Sequence, residues 1–453
     1  MIKDYLLLSN SIKGIFYATL VTFFLPFITN ASRRLLFLVL SIVLILAVGL
    51  LFSGNRSGWL GCLSGIAFII YINIKVRRAK KLFVKRAFIS LTIAFVCFAF
   101  FYKTESSAGR KYIYSISAEM LKKNWVSGVG FGKFKGMFNE YQANYFVFHD
   151  IDSRRALLAD NTFYAFNDYL QWGIETGIAG VFAMLLSLYL LIRRIRWLQR
   201  KYENKKILVA SAATLICIGV AALFSYPLQI IPIQTIVLIC IGIILFHPGS
   251  RQKAENRVGF RITWLFRTLF CGLACIFIVS SMRVMQRKAG VKEAFELAIT
   301  GYKKQALAKY EELIMRFPKH GDIIYLYAEQ LYYTNRLHEA LSAIKEAKKY
   351  YVDNKVYSLE AKIEDELDLR EEAENSYLRA VYMVPNRMRS RFDLLNYYLN
   401  QRDTMKAVYW ANSILGMPVK IPSEITANLQ GQTKKILLKI DVQGHQLMKK
   451  KER

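Results

Sequence analysis

ITWLFRTLFCGLACIFIVSSMRVMQRKAGVKEAFELAITGYKKQALAKY, residues 262–310, changes its physical character part-way along. Up to about Ser281 it is an apolar run long enough to cross a hydrocarbon core of about 30 Å. From about Val291 its apolar residues return at helical spacing among Lys, Glu and Gln, the pattern of an amphipathic helix with one buried face. The chain therefore divides near residue 283 into an apolar part and a polar part. That division explains how 453 residues can be 54% hydrophobic and still carry a formal net charge of +30. One soluble core does not account for both figures.

Beyond the division an internal repeat sets in. Ala306, Ala340, Ala373 and Ala407 recur at intervals of 34, 33 and 34 residues, and Tyr310, Ile344, Tyr377 and Ala411 keep step with them. Pro318 and Pro385 end helices two periods apart. A generic helical bundle has no reason to hold such a register over four units. Stacked helix pairs of the tetratricopeptide type do, because a small residue at a fixed position lets paired helices approach closely. Tyr325, Tyr327, Tyr332 and Tyr333 are then for the most part repeat core rather than a ligand box. The array is expected over 291–430, folding without lipid and binding protein partners, with a basic, frayed tail at 431–453.

Ahead of the division, runs able to span a membrane lie at roughly 11–28, 35–53, 59–74, 87–102, 170–192, 207–224, 228–246 and 262–281. The fold class is thus all-α, a polytopic membrane domain over 1–282 followed by an α-solenoid. The basic charges cluster between spans, at Lys75, Arg77, Arg78, Lys80, Lys81, Lys85 and Arg86 and again from Arg193 to Lys206. This is the positive-inside pattern, and it favours an inner-membrane protein over a nucleic-acid binder. With both clusters cytoplasmic, the long loop 103–169 and the repeats fall on the outer side. Lys3 and Lys13 precede an apolar run without an A-x-A cleavage site, which reads as a span and not a removed leader. All six cysteines, Cys62, Cys97, Cys217, Cys240, Cys271 and Cys275, sit in apolar stretches without metal or disulfide spacing. No P-loop, zinc motif or nucleophile elbow is present, and no cofactor or metal is expected.

Three pieces on the outer face remain. Ser53-Gly54-Asn55-Arg56-Ser57-Gly58 turns between two spans and leaves Arg56 at the boundary, where a permanently charged guanidinium needs water or an anion. Interfacial anchoring is the alternative use. Arg110 opens the long loop, and Gly128, Gly130 and Gly132 follow in a segment without the βαβ surroundings of a dinucleotide fingerprint, read as a close backbone turn. Finally Asn167, Gln171 and Glu175 stand four apart, on one face of a helix entering a span. Helix capping is the alternative there.

In order and topology these pieces resemble the O-antigen ligase and polymerase superfamily of bacterial membrane glycosyltransferases, over roughly residues 40–195. The family usually has ten or more spans, against the eight here, and a histidine where this chain has Phe166. The resemblance implies transfer of a glycan from an undecaprenyl diphosphate carrier to an acceptor hydroxyl, on lipid A-core, a glycan or a protein. It implies that Arg56 and Arg110 neutralise the leaving diphosphate. With Phe166 in place of histidine, the possible bases are His149, Asp160, Asp168 and Glu175. Gly128, Gly130, Gly132, Asn161, Asn167, Asp168 and Gln171 are implied as substrate contacts. A polymerase, a protein O-glycosyltransferase and a non-catalytic scaffold for envelope assembly stay open as alternatives.

Overall fold

A computed structural model describes residues 10–28, 31–73, 104–201, 206–247 and 257–451. The expected span at 87–102, the first basic cluster and Cys97 fall outside them. All regular structure among the described residues is helical. Contacts divide the chain into two compact units that do not follow chain order. The first takes Met1–Ser107, Asn124–Gly128 and Tyr164–Lys288; the second takes Ala108–Lys123, Val129–Phe163 and Ala289–Arg453.

The first unit is built from α1 (Asn10–Phe24), α2 (Arg33–Phe52), α3 (Arg56–Asn73), the first residues of α4 (Thr104–Asn124), then, after α5 (Phe134–Val147) of the other unit, α6 (Asp168–Lys201), α7 (Lys206–Ala222), α8 (Ile231–Phe246) and most of α9 (Arg257–Ile299). Three of its helices, α2, α6 and α9, are long and apolar enough to cross a membrane; the apolar helices α1, α3, α7 and α8 are shorter. Their surfaces show where lipid belongs. Phe37, Ile45 and Phe52 on α2, Phe182 and Tyr189 on α6 and Ile276 on α9 are all exposed, an arrangement that water would penalise and acyl chains satisfy.

Inside this unit small residues set the spacing. A Cβ on Gly14 of α1 would lie 2.4 Å from Ser53 Oγ, and one on Gly61 of α3 would lie 2.5 Å from the Cys217 carbonyl on α7. With lipid on the outside there is little hydrophobic gain in pairing helices, so close backbone approach supplies the contact energy. Cys62, Cys217 and Cys240 are buried, whereas Cys271 and Cys275 on α9 are exposed.

The second unit contains the repeats. The end of α9 pairs with α10 (Lys303–Arg316), α11 (Gly321–Tyr333) with α12 (Leu337–Lys348), α13 (Asn354–Glu366) with α14 (Arg370–Met383), and α15 (Met388–Asn400) with α16 (Thr404–Gly416). Ala306, Ala340, Ala373 and Ala407 are all fully buried, as the register requires. The turn inside each pair repeats too. Gly301, Asn335, Asp368 and Arg402 have φ of 91°, 61°, 58° and 58°. Each is followed by an N–H that reaches back five residues, Tyr302 to Leu297, Arg336 to Leu331, Leu369 to Glu364 and Asp403 to Tyr398. This is the left-handed C-terminal cap that satisfies the carbonyls a helix end leaves open. The tail departs from its expectation. α17 (Glu424–Lys451) is one helix, with Leu429 buried and Ile436 and Leu437 packed on the last pair, because a stack of repeats must cover its terminal apolar face.

The array is joined in this unit by the long loop, and α5 packs against α14. Segments of one compact unit share a side of any bilayer. Any crossings between residues 163 and 289 are therefore even in number.

Candidate functional site

The turn before α3 is held by its own side chains. Gly54 takes φ 58°, a conformation open to glycine, which lets α2 reverse direction at once. Asn55 caps α3, its Oδ1 accepting from Gly58 N at 3.0 Å and from Ser57 Oγ at 2.7 Å. Trp59 Nε1 donates back to the Leu50 carbonyl at 3.0 Å and ties the two helices together. Arg56 thus becomes the first residue of α3, only 8% exposed, with Nη1 donating to Ser107 Oγ at 3.4 Å. A cation at the positive end of a helix dipole is placed against its electrostatic preference. The same end, with a guanidinium added, suits a phosphate.

The second piece is a backbone crossing. Gly128 and Gly177 have φ of 69° and 65°, and Gly177 interrupts α6 with ψ −164°. A Cβ on Gly128 would stand 2.4 Å from the Glu175 carbonyl, and one on Gly177 would stand 2.3 Å from the Val126 carbonyl. Ile178 N donates to the Trp125 carbonyl at 2.9 Å across the same crossing. The first glycine of the loop segment is therefore used for close approach to the backbone of α6. Gly130 and Gly132, also at positive φ, belong to the other unit.

The third piece is the start of α6. Asn167 caps this helix, its Oδ1 accepting from Tyr169 N and Leu170 N at 3.1 and 3.0 Å, so it stands at the helix end and not on the face. Gln171 and Glu175 do share a face. Gln171 Nε2 donates to Glu175 Oε1 at 3.1 Å while its Oε1 accepts from Ala165 N at 3.1 Å, and both residues are 4% exposed. Asp168, equally buried, accepts from Leu228 N at 2.8 Å through Oδ2, whereas Oδ1 has no hydrogen-bond partner. Phe166 takes φ 53°, rare for a bulky side chain, and meets Tyr226 edge-on, which in turn stacks on Tyr164 at 4.2 Å.

The remaining residues singled out in the sequence lie in the second unit. Arg110 sits on α4, near Tyr114, whose phenol is pushed up by burial and drawn partly back by the guanidinium. His149 stacks on Tyr145 at 3.8 Å, its Nδ1 lying 2.7 Å from the Tyr145 carbonyl. Asp160 pairs with Arg387 at 3.1 Å, and Asn161 Nδ2 donates to Asn354 Oδ1 at 2.8 Å. The structure thus brings Gly128, Asn167, Asp168, Gln171 and Glu175 together at the start of α6, and engages Asp160 and Asn161 with the repeats.

A sequence profile described as O-Antigen ligase matches residues 41–185, the stretch that holds the Arg56 turn, the Gly128 crossing and the start of α6. Residues 41–185 match the O-antigen ligase family. No curated protein matches the chain. Among solved structures, a MamA RS-1 ArsTM double mutant aligns with a TM-score of 0.28 and 16% identity, over 34% of this chain and 87% of that one. YrrB, a TPR protein with an unusual peptide-binding site, aligns with a TM-score of 0.27 and 14% identity, over 35% of this chain and 82% of that one.

Within the O-antigen ligase match, the role of Gly177 escaped the sequence reading, although it could have been suspected as a glycine inside an apolar helical run. Gly177→Ala should destabilise the solubilised full-length protein by about 3 kcal/mol, because the added methyl meets backbone and the conformation is open only to glycine. Gly109→Ala, in open space on α4, is the control and should change little. Equal melting temperatures for the two variants would show that the crossing is not built as described.

Proposed function

We propose that this membrane protein transfers a glycan from an undecaprenyl diphosphate carrier to an acceptor hydroxyl at the outer face of the inner membrane. The observation that carries this reading is Arg56, buried at the N-terminus of α3 inside the O-antigen ligase match. In the reaction the acceptor oxygen bonds to the anomeric carbon, the carbon–oxygen bond to the diphosphate breaks, and the electron pair leaves on the diphosphate. Negative charge grows on the leaving group, and a fixed guanidinium at a helix N-terminus stabilises it without reorganising. Arg110, on α4 of the second unit, is assigned the same task and is to be tested by its own substitution.

The acceptor proton needs a base. Asp168 and Glu175 are the buried carboxylates at the start of α6, and Asp168 is favoured because its buried Oδ1 has no hydrogen-bond partner. Asp160 and His149 carry less of this reading, since Asp160 is held by Arg387 and both belong to the second unit. Gln171 and Asn167 then position the start of the helix, and Gly128 holds the crossing beside Glu175.

The glycans of a strain lacking the protein test the reading. Accumulation of long carrier-linked polymer is the expected result. A single repeating unit on the acceptor would turn the reading to a polymerase. An unchanged glycan profile would overturn it in favour of a scaffold.

A further inference from the structure

The proposed chemistry makes no use of the repeats, yet the repeats grip the long loop through buried polar contacts. α5 presents aromatic residues Phe134, Phe138 and Phe146 together with Asn139 and Gln142, all buried. Asn139 Nδ2 donates to the Val352 carbonyl at 2.9 Å, and its Oδ1 accepts from Thr162 N at 3.0 Å. Gln142 Nε2 donates to the Met383 carbonyl and, at 3.2 Å, to that of Asp160. Glu140 accepts from Tyr357 Oη at 2.8 Å and from Arg379 Nε at 3.1 Å. Burial and this carboxylate together push the Tyr357 phenol up.

The segment after α5 is held as closely. Asn386 Nδ2 lies within 2.7 to 3.0 Å of the carbonyls of Ala156, Leu157 and Ala159. Arg391 Nη1 reaches Asp152 at 2.7 Å, and Nη2 donates to the Ile151 carbonyl at 3.0 Å. Phe163, the last loop residue of this unit, stacks on Tyr351 with centroids 6.2 Å apart, and the chain continues directly into Tyr164. An irregular segment must satisfy its backbone groups when it is covered, and here side chains of the repeats do this.

We propose that the repeat array is an internal clamp. Its ligand along α13, α14 and α15 is residues 134–163 of its own chain, and it positions that loop for transfer instead of recruiting a protein at this surface. Glu140, Arg379, Asn386 and Arg391 are its positioning residues. The positioning role rests on the glycan-transfer reading; the clamp itself does not. A reversed pair separates this from mere support of the repeat fold, because pairing across the loop and the array predicts mutual rescue.

The experiment uses full-length protein in the deletion strain, with glycan-bearing acceptor quantified against the amount of folded protein. Trypsin cleavage within residues 148–163 of the solubilised protein is followed in parallel. Glu140→Arg or Arg379→Glu alone should speed loop cleavage about tenfold, since cleavage tracks the open population. Each should lower transfer up to roughly 100-fold, the loss that a small misplacement can cause. The double reversal should recover most of both. Asn386→Leu, which removes the carbonyl contacts without adding charge, is the second variant should a reversal fail to fold, and it should release the loop as well. Loop release with wild-type transfer would overturn the positioning role. Absence of release in every variant would overturn the clamp. An unchanged glycan profile in the deletion strain would sink the transfer reading and the positioning role with it, while loop release would still decide the clamp.

Discussion

Arg56→Lys lowers glycan transfer roughly 100-fold at an unchanged level of folded protein, if the guanidinium meets the leaving diphosphate. Lysine keeps the charge at the N-terminus of α3, so a purely Coulombic role would survive the exchange. It loses the planar fork that addresses two phosphate oxygens at once. Arg56→Ala should fall further, because the charge goes as well. Arg33, exposed at the start of α2, is the matching control, and Arg33→Lys should leave transfer at the wild-type level. Arg110→Lys belongs in the same series. The measurement is the amount of glycan-bearing acceptor in the complemented deletion strain. Wild-type transfer by both Arg56→Lys and Arg56→Ala would remove Arg56 from the site.

The parts of this fold that were legible in the sequence are those fixed by short-range periodicity. The buried alanines of the array follow from a spacing that any reader can count, and the four caps at Gly301, Asn335, Asp368 and Arg402 keep the same spacing. Three of those four are residue types that tolerate positive φ, whereas Arg402 gives no such signal. At the candidate site the four-residue spacing of Gln171 and Glu175 was readable because a helix places them together. Asn167 takes the alternative use, capping the helix, and spacing alone does not separate the two because it does not show where the first turn begins. The crossing of Gly128 and Gly177 joins residues about fifty positions apart, beyond the reach of any local pattern.

The loop's attachment to the repeats was hidden for a different reason. Asn139, Glu140, Gln142 and Asp152 look like solvated polar residues when read in a loop, and their partners lie more than two hundred positions away. Nothing in composition separates a polar side chain facing water from one that satisfies a buried carbonyl. The structure also gives the topology a check that hydropathy cannot. Because the loop and the array form one unit, the side assigned to one is the side of the other.

Arg391 offers the sharpest test of that attachment in energy terms. Its side chain is 1% exposed, yet every region of the guanidinium is engaged: Nε with the Pro385 carbonyl at 2.9 Å, Nη1 with Asp152 and Ser413, Nη2 with the Ile151 carbonyl. Arg391→Ala leaves those acceptors without their donor and opens a cavity where a side chain only 1% exposed had been. Breaking a buried pair from one side costs about 3–5 kcal/mol, and that is the destabilisation expected for the second unit. Arg389, two positions earlier, also pairs with an acid, Asp393 at 2.9 Å, but its side chain is 62% exposed. Water and salt screen such a pair, so Arg389→Ala should cost less than about 1 kcal/mol. Hydrogen exchange on the full-length protein in detergent distinguishes the two. Arg391→Ala should raise exchange at residues 150–163 as well as in α15 and α16, whereas Arg389→Ala should leave the loop protected. If both variants exchanged alike in the loop, the buried guanidinium would not be what joins it to the repeats.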